Sequence, residues 1–275
     1  MPDGETCTLD GAQVNGNVKV GIGSTLMTAD AMIKGNVFGQ QAMRVHIIDT
    51  DVWGQIHFRR TAKEIIIGND GYKVGPNAGG NINLQNNCGP IGICQMTTKN
   101  NIILHNNHNR IGVFDNRVGN NIEVMSNTSA AIRLRDNTVM GGLLIKGNTV
   151  AKVLNVSTNT IGGNANCTMN VVAPTGSGNT AGGALSGQVR GPGLIWEREC
   201  RAQGALCRTF CTTFVATWAG PVRVLGDVPR ARPAGRASAA IGRELPPAGP
   251  GLAPRRGVPK RGPSRRGLGR RRRRC

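Results

Sequence analysis

The sequence has few aromatic residues and no long apolar run. Only 3% of its 275 residues are aromatic, with Tyr 1, Phe 5 and Trp 3. The longest uncharged stretch of apolar character, TFCTTFVATWAGPV at 209–222, is shorter than the roughly 20 residues that a membrane-spanning helix needs. The first residues, MPDGETCTLDG, show neither the basic nor the apolar region of a secretory signal peptide. The sequence therefore predicts neither a membrane span nor a signal peptide.

Asparagine is absent from the last third of the chain, which differs from the rest in charge as well. Residues 1–188 carry 14 Lys and Arg against 11 Asp and Glu, whereas residues 189–275 carry 20 against 4. All 26 Asn residues lie in the first part, while the second consists mainly of Arg, Ala, Gly and Pro. The second part also holds most of the net charge of +19. We therefore predict two separate parts, residues 1–188 and residues 189–275.

The first part contains eight copies of a short motif. In chain order they read GNVKV, GNVFG, GQIHF, GNINL, NNIIL, NNIEV, GGLLI and GNANC, and successive copies start 19 to 26 residues apart. Repeats of this period are typical of solenoids, in which each coil buries its apolar face against its neighbours.

Further apolar positions recur between these motifs. A second group reads Val45–Ile47, Ile65–Ile67, Ile91–Ile93, Ile111–Val113, Ile132–Leu134 and, in the last repeat, Val153. A third, single position reads Val52, Val74, Val118, Val139 and Ile161. Alternating apolar residues separated by polar corners predict two or three short strands in each coil.

Two repeat folds share this period. Leucine-rich repeats need many Leu residues and usually a helix on the return side, but residues 1–188 contain 34 Val and Ile and only 9 Leu. Return segments such as IGVFDNRV also have the composition of strands. We therefore predict an all-β fold, a right-handed parallel β-helix of about eight coils, with a leucine-rich-repeat-like coil as the alternative.

Asparagine recurs at one corner of the predicted coils. In stacked strands, equivalent amide side chains hydrogen-bond to one another along the stack. We expect a structural rather than a catalytic role for this ladder. Its predicted members are Asn86, Asn87, Asn106, Asn107, Asn127 and Asn148.

The two ends of the first part resemble a known group of proteins. CTLDGAQVNGNVKV at 7–20 and APTGSGNTAGG at 173–183 are similar to segments of small right-handed β-helix proteins of high-GC actinobacteria. The GNV-type repeats between them also resemble polymerising β-helices of the bactofilin type. The first resemblance implies an exported protein of the cell envelope or extracellular space. Because the chain shows no signal peptide, a cytoplasmic location stays open.

One set of polar residues is a candidate ligand site. Asp49, Asp115 and Asp136 occupy the same position in their coils, and Asp115 and Asp136 should lie on adjacent turns. Two carboxylates at strand spacing repel each other unless a cation or an arginine compensates. They would then be oxygen ligands of a Ca²⁺ ion or part of a uronate site. Alternatively, Asp simply suits a bend at a solvated corner. The candidates are Asp115, Asp136, Arg117, Arg133, Arg135 and, on an insertion, Tyr72.

Catalysis has weaker support in the sequence. The four histidines, His46, His57, His105 and His108, do not align in one column, and none is paired with a recognisable nucleophile. The single insertion, around GYKVGPNAGG at 71–80, is short for the wall of a cleft. We therefore favour a non-catalytic protein and leave the question of enzymatic activity open.

Three cysteines of the first part invite a structural prediction. Cys88 and Cys94 bracket the segment GPIGI on one coil, with Cys94 in an outward position, and a disulfide between them needs the chain to bend. Cys167 occupies an inward position and should pack as a small apolar residue.

The basic part has two interpretations. Its richness in Arg, Ala, Gly and Pro is typical of GC-rich DNA read in a shifted frame or past a lost stop codon. Alternatively, it is a basic arm, ending in RRGLGRRRRRC, that binds nucleic acid or another polyanion by counterion release. Its Pro, Gly and charge content predicts little stable structure from about residue 226 onward.

These features leave three hypotheses for function. We favour a structural or interaction protein of the cell envelope or extracellular space, which self-associates through open coil ends. The first alternative is a carbohydrate-binding or polysaccharide-active protein that uses one face of the β-helix. The second alternative is a binder of nucleic acid or other polyanions through the basic part.

Overall fold

The computed structural model of the chain describes residues 1–69 and 77–188, together with the backbone of Leu194–Glu197. Tyr72 and Val74 lie outside the described residues, as does nearly all of the basic part predicted for 189–275. The described residues form 27 short strands in three parallel sheets. In the described part of the chain, no helix has the length and apolar character needed to cross a membrane.

The chain passes through the three sheets in the same order on each full turn. Sheet 1 contains β1 (Thr6–Asp10), β4 (Thr25–Ala29), β7 (Arg44–Ile48), β10 (Ile65–Gly68), β13 (Ile91–Cys94), β16 (Ile111–Phe114), β19 (Thr128–Arg135) and β22 (Thr149–Ser157). Every neighbouring pair in this sheet is parallel, so each strand lies one full turn of the chain from the next.

Sheet 2 is built mostly from two-residue strands. Its members are β2 (Gln13–Val14), β5 (Met32–Ile33), β8 (Asp51–Val52), β11 (Asn77–Ala78), β14 (Thr97–Thr98), β17 (Arg117–Val118), β20 (Thr138–Val139), β23 (Thr160–Ile161), β25 (Gly176–Ala181) and β27 (Leu194–Glu197). Because β27 pairs with β25, the solenoid continues past the boundary predicted at residue 188.

Sheet 3 carries the motif that leads each repeat. Its strands are β3 (Val18–Val20), β6 (Val37–Gln40), β9 (Ile56–Arg59), β12 (Ile82–Gln85), β15 (Ile102–His105), β18 (Ile122–Met125), β21 (Leu143–Lys146), β24 (Ala165–Thr168) and β26 (Leu185–Gly187). The solenoid thus has about nine turns instead of the predicted eight. The ninth copy, GALSG at 183–187, is not among the eight motifs identified in the sequence.

The interior of the solenoid is filled by columns of aliphatic side chains. Ile82 pairs with Ile102, and Ile102 pairs in turn with Ile122; all three are at most 1% exposed. Similar columns follow the inward positions of the other two sheets. Burial of these apolar side chains is the main favourable contribution to the free energy of folding. The prediction of a stacked, parallel β-helix is therefore confirmed.

Two of the predicted core positions need correction. Leu154 and Val156 of β22 continue the inward columns instead of Val153, because β22 has one extra residue opposite Ser129–Ala131 of β19. This β-bulge moves the inward position along by one residue. In sheet 2, Ala78 occupies the place assigned to Val74, since it pairs with Val52 on one side and Thr98 on the other.

Candidate functional site

The corner between sheets 3 and 1, the first corner, is held by buried amide side chains. The backbone N–H and the Nδ2 of Asn87 donate to Oδ1 of Asn107 at 3.0 and 2.9 Å, and Asn107 donates likewise to Asn127 at 2.8 and 3.0 Å. The ladder continues through Asn148 and Asn170 to Gln188. The Nδ2 of Asn107 also donates to a carbonyl oxygen, that of Leu84 at 3.0 Å. These bonds link each turn to its neighbours.

The prediction that Asn86 and Asn106 join this ladder needs correction. Their backbone φ angles are +55° and +54°, so they occupy the left-handed conformation immediately before the ladder residues. Asn tolerates this conformation better than most residues. Gln41, Arg60, Ser126 and Met169 adopt it at equivalent corner positions, which shows that the site selects a backbone conformation and not an amide.

Two further ladders were missed by the sequence analysis. At the second corner, between sheets 1 and 2, buried amides are joined at 2.8–3.1 Å in the order Asn116, Asn137, Asn159 and Asn179. At the third corner, between sheets 2 and 3, the direction is reversed, since Asn101 donates to Oδ1 of Asn81 at 3.0 and 3.1 Å. The sequence carries a signal for the second-corner ladder, since DN or TN dipeptides recur at 115–116, 136–137 and 158–159.

Asp115 and Asp136 do lie on adjacent turns at the second corner. The N–H of Asp115 donates to the carbonyl of Arg135, and both aspartates have positive φ, at 53° and 58°. Desolvation raises the pKa of the Asp115 carboxyl, and the charge of Asp136 adds to this effect, while a hydrogen bond from Gln95 opposes it. Thr158 on the next turn donates a short hydrogen bond to Asp136. The column is therefore a stripe of mutually contacting polar groups.

The three candidate arginines are distributed over two sheets. Nε of Arg135 lies 3.1 Å from Oδ2 of Asp136, which partly neutralises that carboxylate. Arg133 is exposed on the outer face of sheet 1, where it pairs with Gly112 and Asn155. Arg117 is also exposed, but it belongs to β17 of sheet 2, where it pairs with Thr97 and Thr138.

The acidic column offers little to a metal ion. Ca²⁺ usually takes six to eight oxygen ligands, several of them carboxylates. Among the residues that the structure describes, no group of three His, Cys, Asp or Glu side chains could hold a metal ion. The arrangement thus supplies two neighbouring carboxylates and one arginine, a set that suits hydrogen bonding to a polar ligand.

A second charged cluster lies on the outer face of sheet 1 near the N-terminus. Nε of Arg44 is 2.6 Å from Oε1 of Glu64, and Nε2 of His46 is 3.4 Å from the same oxygen. Burial lowers the pKa of His46 below 6.5, and Arg44 lowers it further, although the charge of Glu64 has the opposite effect. This cluster was not anticipated, since its members come from two different turns.

The cysteines of the solenoid differ in chemistry. Cys88 and Cys94 are both disulfide-bonded. The extended strand β13 begins three residues after Cys88 and ends at Cys94, so it separates the two Cα atoms by about 10 Å or more, too far for a bond between them. Cys94 is only 2% exposed, so its predicted outward position does not leave it accessible. Cys167 is fully buried as predicted, and burial raises the pKa of its thiol to about 12. Cys167 is therefore a packing residue with little reactivity.

Trp53 is the most exposed aromatic residue whose side chain is described. It lies at the third corner, directly after β8, with 57% of its surface exposed. Nζ of Lys34, one turn earlier, is 5.7 Å from the centroid of its ring, within the range of a cation–π contact. The sequence analysis did not include Trp53 among the candidate residues.

Comparison with known proteins leaves the fold without a named relative. The chain matches no family model, no curated protein and no solved structure. The resemblance to actinobacterial β-helix proteins and to bactofilins therefore stays an expectation from the quoted motifs.

Proposed function

We propose that this protein is a non-catalytic structural or interaction protein, a stiff β-solenoid that acts outside the cytoplasm. The observation that carries this proposal is the set of amide ladders, which run parallel to the axis at all three corners. Each ladder hydrogen-bonds successive turns to one another along the solenoid axis, the direction in which the turns would otherwise separate. Such reinforcement suits a protein that bears load or displays a surface.

The oxidised state of Cys88 and Cys94 supports the location. Disulfides persist in secreted and envelope proteins, whereas reducing systems keep cytoplasmic thiols reduced. An exported solenoid would keep both cysteines oxidised.

Cell fractionation of the native organism, combined with differential alkylation and mass spectrometry, tests the location. We expect the protein in the envelope or the medium, with Cys88 and Cys94 protected from alkylation until a reductant is added. Recovery in the cytoplasm with both thiols alkylated at once would contradict the proposal.

Self-association through the coil ends belongs to the same proposal. β1 and β2 are terminal strands of their sheets, so one edge of each has no partner strand within the described chain. The bonds from Thr25 N–H to Glu5 O and from Gly11 N–H to Ala29 O imply that Thr8 directs its backbone groups to the outer edge. Sedimentation velocity should show concentration-dependent oligomers that Thr8→Pro abolishes. Equal oligomerisation of both proteins would contradict an edge contact.

A polysaccharide-active protein is the second candidate, and the pair Asp115 and Asp136 favours it. One turn separates the two, about 4.8 Å of strand spacing, close to the separation of roughly 5 Å found in retaining glycosidases. An assay for reducing ends released from polygalacturonate tests this candidate. Activity that Asp115→Asn and Asp136→Asn each abolish would establish it in place of the scaffold.

The basic part remains a prediction, since it lies outside the described residues. If it is a polyanion-binding arm, removal of residues 189–275 should abolish binding to DNA and its steep dependence on salt. An unchanged salt dependence in the truncated protein would exclude that role.

A further inference from the structure

Trp53 is 57% exposed, although a lysine side chain lies over its ring. Lys34 lies one turn before Trp53 and places its ammonium over the ring. The hydrogen bonds from Trp53 N–H to Ile33 O and from Gly79 N–H to Val52 O put Gly79 at the equivalent position one turn later. At this equivalent position on the next turn, Gly79 has no side chain that could cover the ring.

The absence of a side chain at Gly79 leaves a gap between the corner positions of Trp53 and Lys99, here called the slot, with Gly79 at its floor. The N–H of Lys99 donates to the carbonyl of Ala78, which places Lys99 at the same corner position two turns after Trp53. Two strand spacings separate these positions by about 10 Å. A sugar ring stacked at about 4 Å on the indole would fill this space. The floor is fixed by the fold, because a Cβ at Gly79 would lie 1.9 Å from the carbonyl oxygen of Trp53.

Positive charge surrounds the slot. Lys34, Lys99 and Arg117 are all exposed, and they belong to this corner or to the adjoining row of sheet 2. The carboxylate of Asp51, two residues before Trp53, already accepts hydrogen bonds from the N–H and Nδ2 of Asn77 at 3.0 and 3.2 Å. The site therefore complements an anionic ligand better than a neutral one.

We propose that the slot between Trp53 and Lys99 binds an acidic pyranose unit, such as a uronate, of a polysaccharide. Trp53 stacks on the apolar face of the sugar ring, and Lys99 pairs with the carboxylate. Asn77 stands beside the floor and offers its amide to ring hydroxyls. This assignment rests on the proposed interaction function and names the class of partner that the solenoid would hold.

Isothermal titration of the full-length protein at 0.15 M salt tests the site, with trigalacturonate as the acidic probe and cellotriose as the neutral one. Trp53→Ala should weaken trigalacturonate binding about tenfold, the equivalent of 1.4 kcal/mol. Lys99→Met should weaken trigalacturonate about fivefold and leave cellotriose unchanged. The matched control is Met140→Ala, since Met140 is 51% exposed at the same corner position further along the solenoid and should affect neither sugar.

Several results would overturn the assignment. If wild-type protein binds neither sugar at millimolar concentration, the slot is not a saccharide site. Equal affinity of the wild type for both sugars would contradict the acidic class. Binding of trigalacturonate that survives Trp53→Ala would place the ligand elsewhere, for instance on the basic part. None of these outcomes depends on the cellular fractionation, so the failure of the site and the failure of the proposed location are distinguishable.

Discussion

At the scale of single residues, the buried amide side chains of the first corner have the strictest hydrogen-bonding requirements. Oδ1 of Asn127 accepts two hydrogen bonds from Asn107, and Nδ2 of Asn127 donates to the carbonyl of Leu104 and to Asn148. All of these groups are buried, so their loss leaves polar atoms without partners.

Asn127→Ala should therefore lower the free energy of unfolding by about 3 kcal/mol, since several buried groups lose a hydrogen bond. Chemical denaturation followed by circular dichroism measures the change. Asn106→Gly is the matched control, because its left-handed φ of +54° suits glycine and its effect should stay within about 0.5 kcal/mol. Equal destabilisation by both substitutions would argue against the ladder.

His46 gives the molecule a dependence on pH. Because burial lowers the pKa of His46 in the folded state, protonation favours the unfolded chain, and stability should fall as the pH drops below 6.5. We expect His46→Gln to reduce the loss of stability between pH 8 and pH 5, measured as the shift of the urea midpoint. An identical pH profile for the variant would show that His46 does not titrate with folding.

At the scale of the structural element, close contact between turns restricts the corner glycines. A Cβ at Gly119 would lie 2.1 Å from the carbonyl oxygen of Lys99, whereas a Cβ at Gly16 would meet no atom within 4 Å. Gly119→Ala should lower the melting temperature and cost about 2 kcal/mol of stability through overpacking. Gly16→Ala should be nearly neutral, and a similar cost for both would contradict the stacking of turns at this corner.

The disulfide bonds of Cys88 and Cys94 are a second element-scale feature with a measurable effect. A disulfide typically stabilises a fold by about 2 kcal/mol or more in the chain-entropy model. We expect the double variant Cys88→Ser and Cys94→Ser to show a reduced unfolding midpoint under oxidising conditions, and wild-type protein treated with reductant to match it. A variant as stable as the oxidised wild type would show that these bonds are dispensable.

The whole solenoid was largely predictable, because one pattern repeats and each copy supports the others. Ile and Val at alternate positions determine both the strands and their inward face, and Asn87, Asn107, Asn127 and Asn148 align by spacing alone. The sequence pattern failed where a turn departs from the average, at the bulge in β22 and at the ninth turn around Leu185.

The candidate site was less accessible to sequence reasoning. Asp115 and Asp136 could be placed on adjacent turns by counting, but the position of Arg117 on a different sheet could not. The slot beside Trp53 is formed by the residues at one corner position on three successive turns. An insertion precedes the second of these residues, so their spacing in the sequence is irregular. Only the register of the sheets reveals such a relation.

The most direct test of the account is a methyl-labelled NOESY spectrum of the full-length protein. If Ile, Leu and Val side chains form columns, cross peaks should connect methyl groups one turn apart, such as those of Ile82 and Ile102, Leu104 and Val124, and Ile111 and Ile132. Their sequence separations of 20 or 21 residues leave no local explanation. Cross peaks confined to residues three or four positions apart would indicate helices and contradict the solenoid.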